Sequence, residues 1–167
     1  MQRRHFVLAG LGLAGAAGLT GMLSSAGRAR SSETFEVTKS EAEWKQALSA
    51  QQFAVLRQHA TERPFSSPLN DEHRSGTFAC AGCDLALFRS DTKFDSGTGW
   101  PSFFAPIEGA VATKSDYTLI LPRTEVHCRR CGGHLGHVFD DGPRPTGKRY
   151  CMNGAALKFQ ESGASSQ

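Results

Sequence analysis

Apolar residues first repeat with a helical period in the segment after residue 40. Trp44 and Leu48 are four positions apart and Phe53 and Leu56 are three apart, so each pair falls on one face of a helix. Each pair follows a serine that has Glu or Gln three positions later, the capping box that begins a helix. These boxes are Ser40-Glu41-Ala42-Glu43 and Ser49-Ala50-Gln51-Gln52. The pattern predicts two short helices, the second of which ends before Pro64 because proline cannot continue a helix.

From Gly76 onward the pattern changes to short β-rich runs that are separated by turn residues. The predicted strands are residues 77–79, 85–88, 117–121, 124–127, 134–139, 149–153 and 156–159. This pattern predicts a mainly β domain of antiparallel strands over residues 39–160, with the two helices packed on it. Residues 161–167 are predicted to be a disordered tail.

The first 29 residues have the pattern of an export signal. Arg3-Arg4 precedes an apolar, glycine-rich stretch over residues 6–23, and small residues follow as far as Ala29. The start resembles a twin-arginine signal, the address for export of folded proteins. We expect cleavage and a periplasmic mature chain that begins near Gly27 or Arg30, with a polar, partly disordered spacer over residues 30–38. The alternative is an uncleaved N-terminal membrane anchor.

The charge balance argues against nucleic acid as a partner. The chain has 19 Lys and Arg against 16 Asp and Glu, but three of those arginines lie among the first 29 residues, which contain no acid. Without that stretch the formal charge is zero, so we expect no basic patch on the rest of the chain.

Four of the five cysteines form two C-x-x-C knuckles, Cys80 with Cys83 and Cys128 with Cys131. Each knuckle presents two sulfurs on one tight turn, which suits tetrahedral Zn²⁺. Four thiolates leave no open coordination position, so the predicted ion is structural. Two disulfides and a redox dithiol are the alternatives, the first because an exported protein meets an oxidising compartment.

The fifth cysteine, Cys151, is the candidate nucleophile. On a strand it would share one face with Arg149 and Asn153, and a nearby cation favours the reactive thiolate. A buried structural thiol is the alternative. His134 and His137, just upstream, are the candidate proton donors and orienting residues.

A glycine-rich turn over residues 96–104 presents Trp100 with two phenylalanines, which indicates an apolar wall. Core packing is the alternative explanation for the phenylalanines and explains a tryptophan in a loop less well.

Taken together, the motifs resemble those of the methionine-R-sulfoxide reductases, the B-type family. The resemblance covers roughly residues 43–159. The motifs that carry it are Arg63-Pro64-Phe65-Ser66-Ser67-Pro68, both knuckles, Gly99-Trp100-Pro101-Ser102-Phe103, His134-Leu135-Gly136-His137-Val138-Phe139 and Arg149-Tyr150-Cys151-Met152-Asn153. The resemblance implies two antiparallel sheets in a β-tent-like arrangement and repair of oxidised methionine in proteins, with free methionine sulfoxide as a further substrate.

The resemblance also implies roles for the site residues. Cys151 would attack the sulfoxide sulfur and become a sulfenic acid, while His137, with His134 and Asn153 nearby, would protonate the oxygen. The implied substrate-binding residues are Trp100, which would contact the sulfoxide methyl group, Phe139 and Asp141, with Arg149 helping to shape the site.

Many members of that family have a cysteine where this chain has Thr98. That cysteine closes a disulfide with the oxidised nucleophile. Without it, we expect an external thiol to reduce the sulfenic acid directly: a thioredoxin-like or glutaredoxin-like protein, or a small thiol.

Two other functions fit the same sequence: a non-catalytic zinc-clamped β domain that binds a protein or small ligand, and a thiol enzyme acting on another thiol adduct. We expect a monomer that meets the membrane only through its export signal.

Overall fold

The structure, a computed structural model, describes residues 34–163. The predicted export signal, the first residues of the spacer and residues 164–167 of the tail lie outside the described residues. Within the described range, neither helix is long and apolar enough to cross a membrane.

Two short helices open the described chain, α1 (Glu41–Ala47) and α2 (Ala50–Gln58). Both predicted capping boxes are confirmed: Ser40 pairs reciprocally with Glu43, and Ser49 with Gln52. The helix α2 ends at Gln58, and the left-handed backbone of the next residue, His59 (φ 58°), turns the chain away before Pro64.

Nine strands follow and form two antiparallel sheets, as the predicted fold class requires. They are β1 (Gly76–Cys80), β2 (Ala86–Arg89), β3 (Lys93–Phe94), β4 (Ser102–Phe103), β5 (Val111–Asp116), β6 (Arg123–Cys128), β7 (His134–Phe139), β8 (Arg149–Met152) and β9 (Leu157–Glu161). The smaller sheet has the order β2-β1-β9, and the larger has the order β3-β4-β8-β7-β6-β5. Every strand pair is antiparallel.

The core contains aromatic side chains from both sheets. Phe78 and Phe88 of the smaller sheet contact Phe103 of the larger one, at ring-centroid distances of 5.0 Å and 4.4 Å. All three rings are fully buried. Trp44 and Leu56 add the apolar faces of the two helices to the same cluster, as the helical period predicted.

One predicted strand is wrong. Residues 117–121 form a bent loop, and the strand is the preceding segment, β5. The side chain of Asp116 accepts hydrogen bonds from the backbone N–H and hydroxyl of Thr118, which closes a turn and ends the strand. The β-forming side chains of residues 117–121 are therefore in the loop between β5 and β6.

Some residues beyond the predicted bounds of the domain are bonded to it. In the predicted spacer, Val37 N–H donates to the carbonyl of Arg130 (3.0 Å), and the Phe35 ring packs edge-on against His127. At the other end, Glu161 completes β9 and Ser162 N–H donates to the Ser75 carbonyl (2.8 Å). The described parts of both segments are thus bonded to the folded domain.

Candidate active site

The register of the larger sheet places Cys151 beside His137. Cys151 on β8 lies directly opposite His137 on β7 and, on its other side, directly opposite Ser102 on β4. Directly opposed residues of antiparallel strands point to the same face. The predicted nucleophile and one of the predicted proton donors are therefore adjacent.

A bulge brings His134 to the same side as His137. Strict alternation would place residues three apart on opposite faces. Val126 pairs with Gly136, whereas the next residue of β6 pairs with His134, so Leu135 is an extra residue in β7. Such a bulge redirects the side chains beyond it. The two imidazole centroids are 5.4 Å apart.

The Cys151 thiol has three polar neighbours that favour its ionised form. Its sulfur lies 3.8 Å from Thr98 Oγ1. Burial nevertheless raises the pKa of the thiol above its ordinary value, while Thr98, Arg149 and Ser102 lower it and do not offset the burial. The sequence correctly indicated a cation beside the thiol but not that burial prevails, so the resting group at neutral pH is a thiol.

Arg149 is held beside the thiol by two predicted substrate-binding residues. Its guanidinium donates two hydrogen bonds to Asp141 (2.8 and 2.7 Å) and lies 4.4 Å from the centroid of the Phe139 ring. The Asp141 side chain is 62% exposed and outside the pocket at Cys151. The geometry therefore makes Asp141 a residue that orients Arg149.

Asn153 uses both ends of its amide to hold the backbone. Its oxygen accepts from Glu62 N–H (3.0 Å), and its nitrogen donates to the Leu135 carbonyl (3.1 Å). The residue follows the end of β8 and is buried. Asn153 lines the pocket, but its amide is engaged in joining β7 to the segment that carries Glu62.

Trp100 is fixed by that same segment. Its indole N–H donates to the Glu62 carbonyl (3.1 Å), and the buried Glu62 carboxylate accepts from the N–H groups of Gly154 and Ala155. The turn before the indole needs glycine: Gly99 has φ 88°, and a Cβ there would collide with Pro64 and Phe65. The predicted glycine-rich turn therefore presents the tryptophan as a rigid wall.

These side chains enclose a small pocket of about 120 Å³. Its lining residues are Thr61, Trp100, Arg123, His137, Phe139, Cys151 and Asn153. Since a water molecule occupies about 30 Å³ in the liquid, this volume suits roughly four heavy atoms, the size of a side-chain end. The pocket combines a thiol, an imidazole and two aromatic walls.

His137 also borders a larger recess of about 670 Å³, which Asp116 lines as well. The Nε2 atom of His137 is 2.8 Å from Asp116 Oδ2. Hydrogen bonds from Thr118 and from His137 hold the pKa of Asp116 well below its usual range. An ionised carboxylate only accepts, so Nε2 carries the hydrogen and Nδ1 is the nitrogen that accepts a proton. Burial lowers the pKa of His137, against the opposing effect of Asp116.

His134 has its own carboxylate partner and lines the recess rather than the small pocket. Its Nδ1 lies 3.0 Å from Glu125 Oε1, and its Nε2 has no hydrogen-bond partner within residues 34–163. Burial raises the pKa of Glu125, but the bond from His134 and the charge of Lys114 prevail and lower it to about 2. His137 thus lies between His134 and the Cys151 thiol.

Sequence reasoning missed three acidic residues of the site, namely Asp116, Glu125 and Glu62. Strand alternation was a usable signal for Glu125, which lies on β6 directly opposite His137. Asp116 was missed because the strand that ends there, β5, was predicted at residues 117–121 instead. Glu62 lies in a loop 91 positions from Asn153, and no local pattern indicated that contact.

The other four cysteines meet at the junction of the two sheets. Cys80 ends β1 and Cys128 ends β6. The sulfur separations are 3.7 Å for Cys80–Cys131 and 3.5 Å for Cys83–Cys128, and all four sulfurs lie within 4.8 Å of one another. A tetrahedron with Zn–S bonds of about 2.3 Å has edges of about 3.8 Å. The cluster is compatible with a structural zinc site, and none of the five described cysteines forms a disulfide.

The fold and site define the class of the protein: a two-sheet β protein with a four-cysteine clamp and a separate pocket cysteine. The profile of the SelR domain matches residues 48–161. A peptide methionine sulfoxide reductase MsrB of Bradyrhizobium diazoefficiens is 57% identical over 126 residues, which cover 75% of this chain and 91% of that protein. The Leptospira interrogans MsrB is 52% identical over 128 residues, with 76% and 98% covered. The chain therefore belongs to the MsrB family.

A plant relative extends the similarity beyond bacteria. The chloroplastic peptide methionine sulfoxide reductase B1 of Arabidopsis thaliana is 56% identical over 121 residues, which cover 72% of this chain and 60% of that longer protein.

Proposed function

We propose that this protein reduces methionine-R-sulfoxide in oxidised proteins to methionine, with Cys151 as the nucleophile. The names of its relatives support peptide methionine sulfoxide reductase activity. The observation that carries the residue assignment is the pocket in which Cys151, His137 and Trp100 converge. A non-catalytic binding domain, the predicted alternative, gives no reason for a thiol and an imidazole in one small pocket.

The chemistry balances with the protons that the resting site holds. The Cys151 sulfur attacks the sulfoxide sulfur and forms an S–S bond. The protonated oxygen then moves to the Cys151 sulfur as both the S–O bond and the new S–S bond to the methionine sulfur break, so Cys151 becomes a sulfenic acid and methionine leaves. The proton of the thiol travels to the oxygen, and neutral His137 is the group positioned to carry it. A thiol with a raised pKa beside an imidazole with a lowered pKa supplies the one proton that this step requires.

The neighbours of the reacting pair orient it. Asp116 fixes the ring and tautomer of His137, and Arg149, held by Asp141 and Phe139, favours the thiolate that forms during attack. His134, oriented by Glu125, is positioned to support His137 through the recess. Asn153 acts by positioning, because its amide is bonded to backbone at both ends.

Trp100 is the proposed contact for the sulfoxide methyl group and so the source of epimer preference. The pocket volume of about 120 Å³ suits a methyl sulfoxide with its adjoining methylene. In the S epimer the methyl group and the oxygen exchange places at sulfur, which would bring the polar oxygen against the indole.

The sulfenic acid is returned to the thiol by an external reductant. Two thiols supply two electrons: one forms a mixed disulfide with Cys151 and releases water, and the second resolves it. Thr98, whose Oγ1 is 3.8 Å from the Cys151 sulfur, occupies a position from which an internal thiol would act. The other four cysteines are gathered at the junction of the sheets.

One Zn²⁺ held by Cys80, Cys83, Cys128 and Cys131 is the proposed structural metal, on the strength of the sulfur geometry. It would fasten β1 to β6 and so hold the two sheets together. For the leader, we keep the expected twin-arginine export and periplasmic location as a proposal, which the native N-terminal sequence would test.

Steady-state assays with dithiothreitol test the activity. The protein should reduce N-acetylmethionine-R-sulfoxide and leave the S epimer untouched, and Cys151→Ser should be inactive while it remains folded. Reduction of both epimers at similar rates, or an active Cys151→Ser protein, would contradict the proposal.

A further inference from the structure

The loop between β5 and β6 carries a cluster of exposed apolar side chains. Tyr117, Leu119, Ile120 and Leu121 are exposed by 73%, 56%, 100% and 76%. They are four of the five large apolar side chains that are exposed within residues 34–163. We refer to residues 117–122 as the loop tip, and it contains no charged residue. Apolar clusters of this kind in a folded protein mark interaction sites.

The loop tip is continuous with the pocket at Cys151. Tyr117 and Thr118 line the recess of about 670 Å³, which also contains Arg123 and His137. The last two residues line the small pocket as well. At the base of the loop, Asp116 binds both Arg123 (2.6 Å) and His137 (2.8 Å). A ligand whose end occupies the small pocket therefore has a path through the recess to the loop tip.

The chemistry of the substrate indicates which groups would lie along that path. Methionine is mostly a core residue, and its oxidation disrupts the apolar packing around it. When a packed methionine is oxidised and the chain unfolds, apolar residues that were packed in the same core become exposed together with it. They need an apolar surface close to the pocket, and the loop tip provides one.

We infer that the loop tip binds apolar residues that flank the oxidised methionine in an unfolded polypeptide substrate. This inference rests on the proposed function and deepens it, because it selects unfolded protein over free methionine sulfoxide. A membrane is a poorer occupant, because the cations beside the loop are paired: Arg123 with Asp116, and Lys114 with Glu125. Membrane-binding apolar segments ordinarily offer unpaired basic residues to anionic headgroups.

The test compares three substrates, all as the R epimer: a short peptide with apolar residues on both sides of the sulfoxide, the same length with Gly and Ser flanks, and N-acetylmethionine sulfoxide. The test variant is Leu119→Ser/Ile120→Ser/Leu121→Ser. The matched control, Leu119→Ile/Ile120→Leu/Leu121→Ile, keeps the apolar area.

The wild type and the control should favour the apolar peptide over the Gly/Ser peptide by about tenfold or more in kcat/KM. The serine variant should lose this preference through a higher KM, with its kinetics on N-acetylmethionine sulfoxide unchanged. An apolar preference that survives in the serine variant, or none in the wild type, would overturn the inference.

Sedimentation with vesicles of phosphatidylcholine and phosphatidylglycerol tests whether the loop tip binds a membrane instead. Wild-type protein should stay in the supernatant. Pelleting that the serine variant loses, with equal peptide kinetics, would assign the tip to a membrane and overturn the inference. No reduction of N-acetylmethionine sulfoxide by the wild type would contradict the proposed function itself, and this inference with it.

Discussion

Cys151 and His137 face each other across the β7–β8 pair, and Gly136 sets how closely these strands approach. A Cβ at position 136 would collide with the carbonyl oxygen of Cys151. The glycine between the two histidines of the motif is therefore required by the backbone of the nucleophile's own strand, and the site depends on this contact.

Gly136→Ala should displace β8 and destabilise the protein by about 2 kcal/mol, the usual cost of overpacking. Urea unfolding measures the free energy, and the single-turnover rate measures the site. Gly109→Ala is the control, because its glycine also has an unusual backbone (φ 67°) but a Cβ added there would meet no atom within 4 Å. Equal losses of rate in the two variants would show that strand spacing at Cys151 is unimportant.

Asp116→Asn should lower kcat by about tenfold to a hundredfold, with little change in KM for N-acetylmethionine sulfoxide. Asp116 raises the pKa of His137 against the larger effect of burial, so its loss lowers that pKa further and makes the protonated ring harder to form. The acidic limb of the kcat profile should accordingly move to lower pH. Asp140→Asn, at an exposed carboxylate paired with Lys148, is the control. If kcat equals that of the control variant, Asp116 has no role in catalysis.

Arg149→Met should raise the pKa of Cys151, because the guanidinium opposes the effect of burial on the thiol. Below the thiol pKa, the alkylation rate rises about tenfold per pH unit, so the whole rate profile of the variant should shift to higher pH. Mass spectrometry of the Cys151 peptide after iodoacetamide treatment gives this profile. Arg89→Met, at an exposed arginine bound to Asp91, should leave it in place. An unshifted profile in Arg149→Met would count against the electrostatic role.

Much of this site is encoded in local sequence patterns. The capping boxes, the knuckles and the strands that carry His137 and Cys151 were all predicted at or near their observed positions, because each depends on neighbouring residues. Strand alternation alone would have separated His134 from His137, although both are predicted to act at the site. The bulge at Leu135 is the physical reason that they meet.

The errors arise where distant segments decide the outcome. Residues 117–121 have strong β propensity, yet the side chain of Asp116 ends the strand before them. Asn153 lines the pocket with Cys151, but its amide is bonded to Glu62, far away in the chain, and no local pattern indicated that bond. The pKa of Cys151 depends on burial, which the adjacent arginine did not reveal.

The cysteine clamp predicts about one zinc per chain in protein purified without chelator. Removal of the metal should lower Tm by roughly 10 °C or more, because a structural site contributes directly to folding. Cys151→Ser is the matched control and should keep both the zinc and the Tm. Two disulfides in the mass map, with no zinc, would contradict the assignment.

Thr98→Cys should convert the enzyme to one that closes an internal disulfide. Thr98 Oγ1 is 3.8 Å from the Cys151 sulfur, so a thiol at this position is within reach after a small side-chain adjustment. After one turnover, the variant should lack the sulfenic acid that dimedone traps in the wild type. Thr113→Cys, on an exposed part of β5, should behave as wild type. A dimedone adduct that persists in Thr98→Cys would contradict the proposed geometry.

The most direct test of the account is a single turnover without reductant. Pre-reduced protein is mixed separately with the R and S epimers of N-acetylmethionine sulfoxide, and the released N-acetylmethionine and the mass of the Cys151 peptide are measured. We predict about one product molecule per chain from the R epimer, none from the S epimer, and a trappable sulfenic acid at Cys151. An internal disulfide at Cys151, or no product from the R epimer in folded protein, would contradict the account.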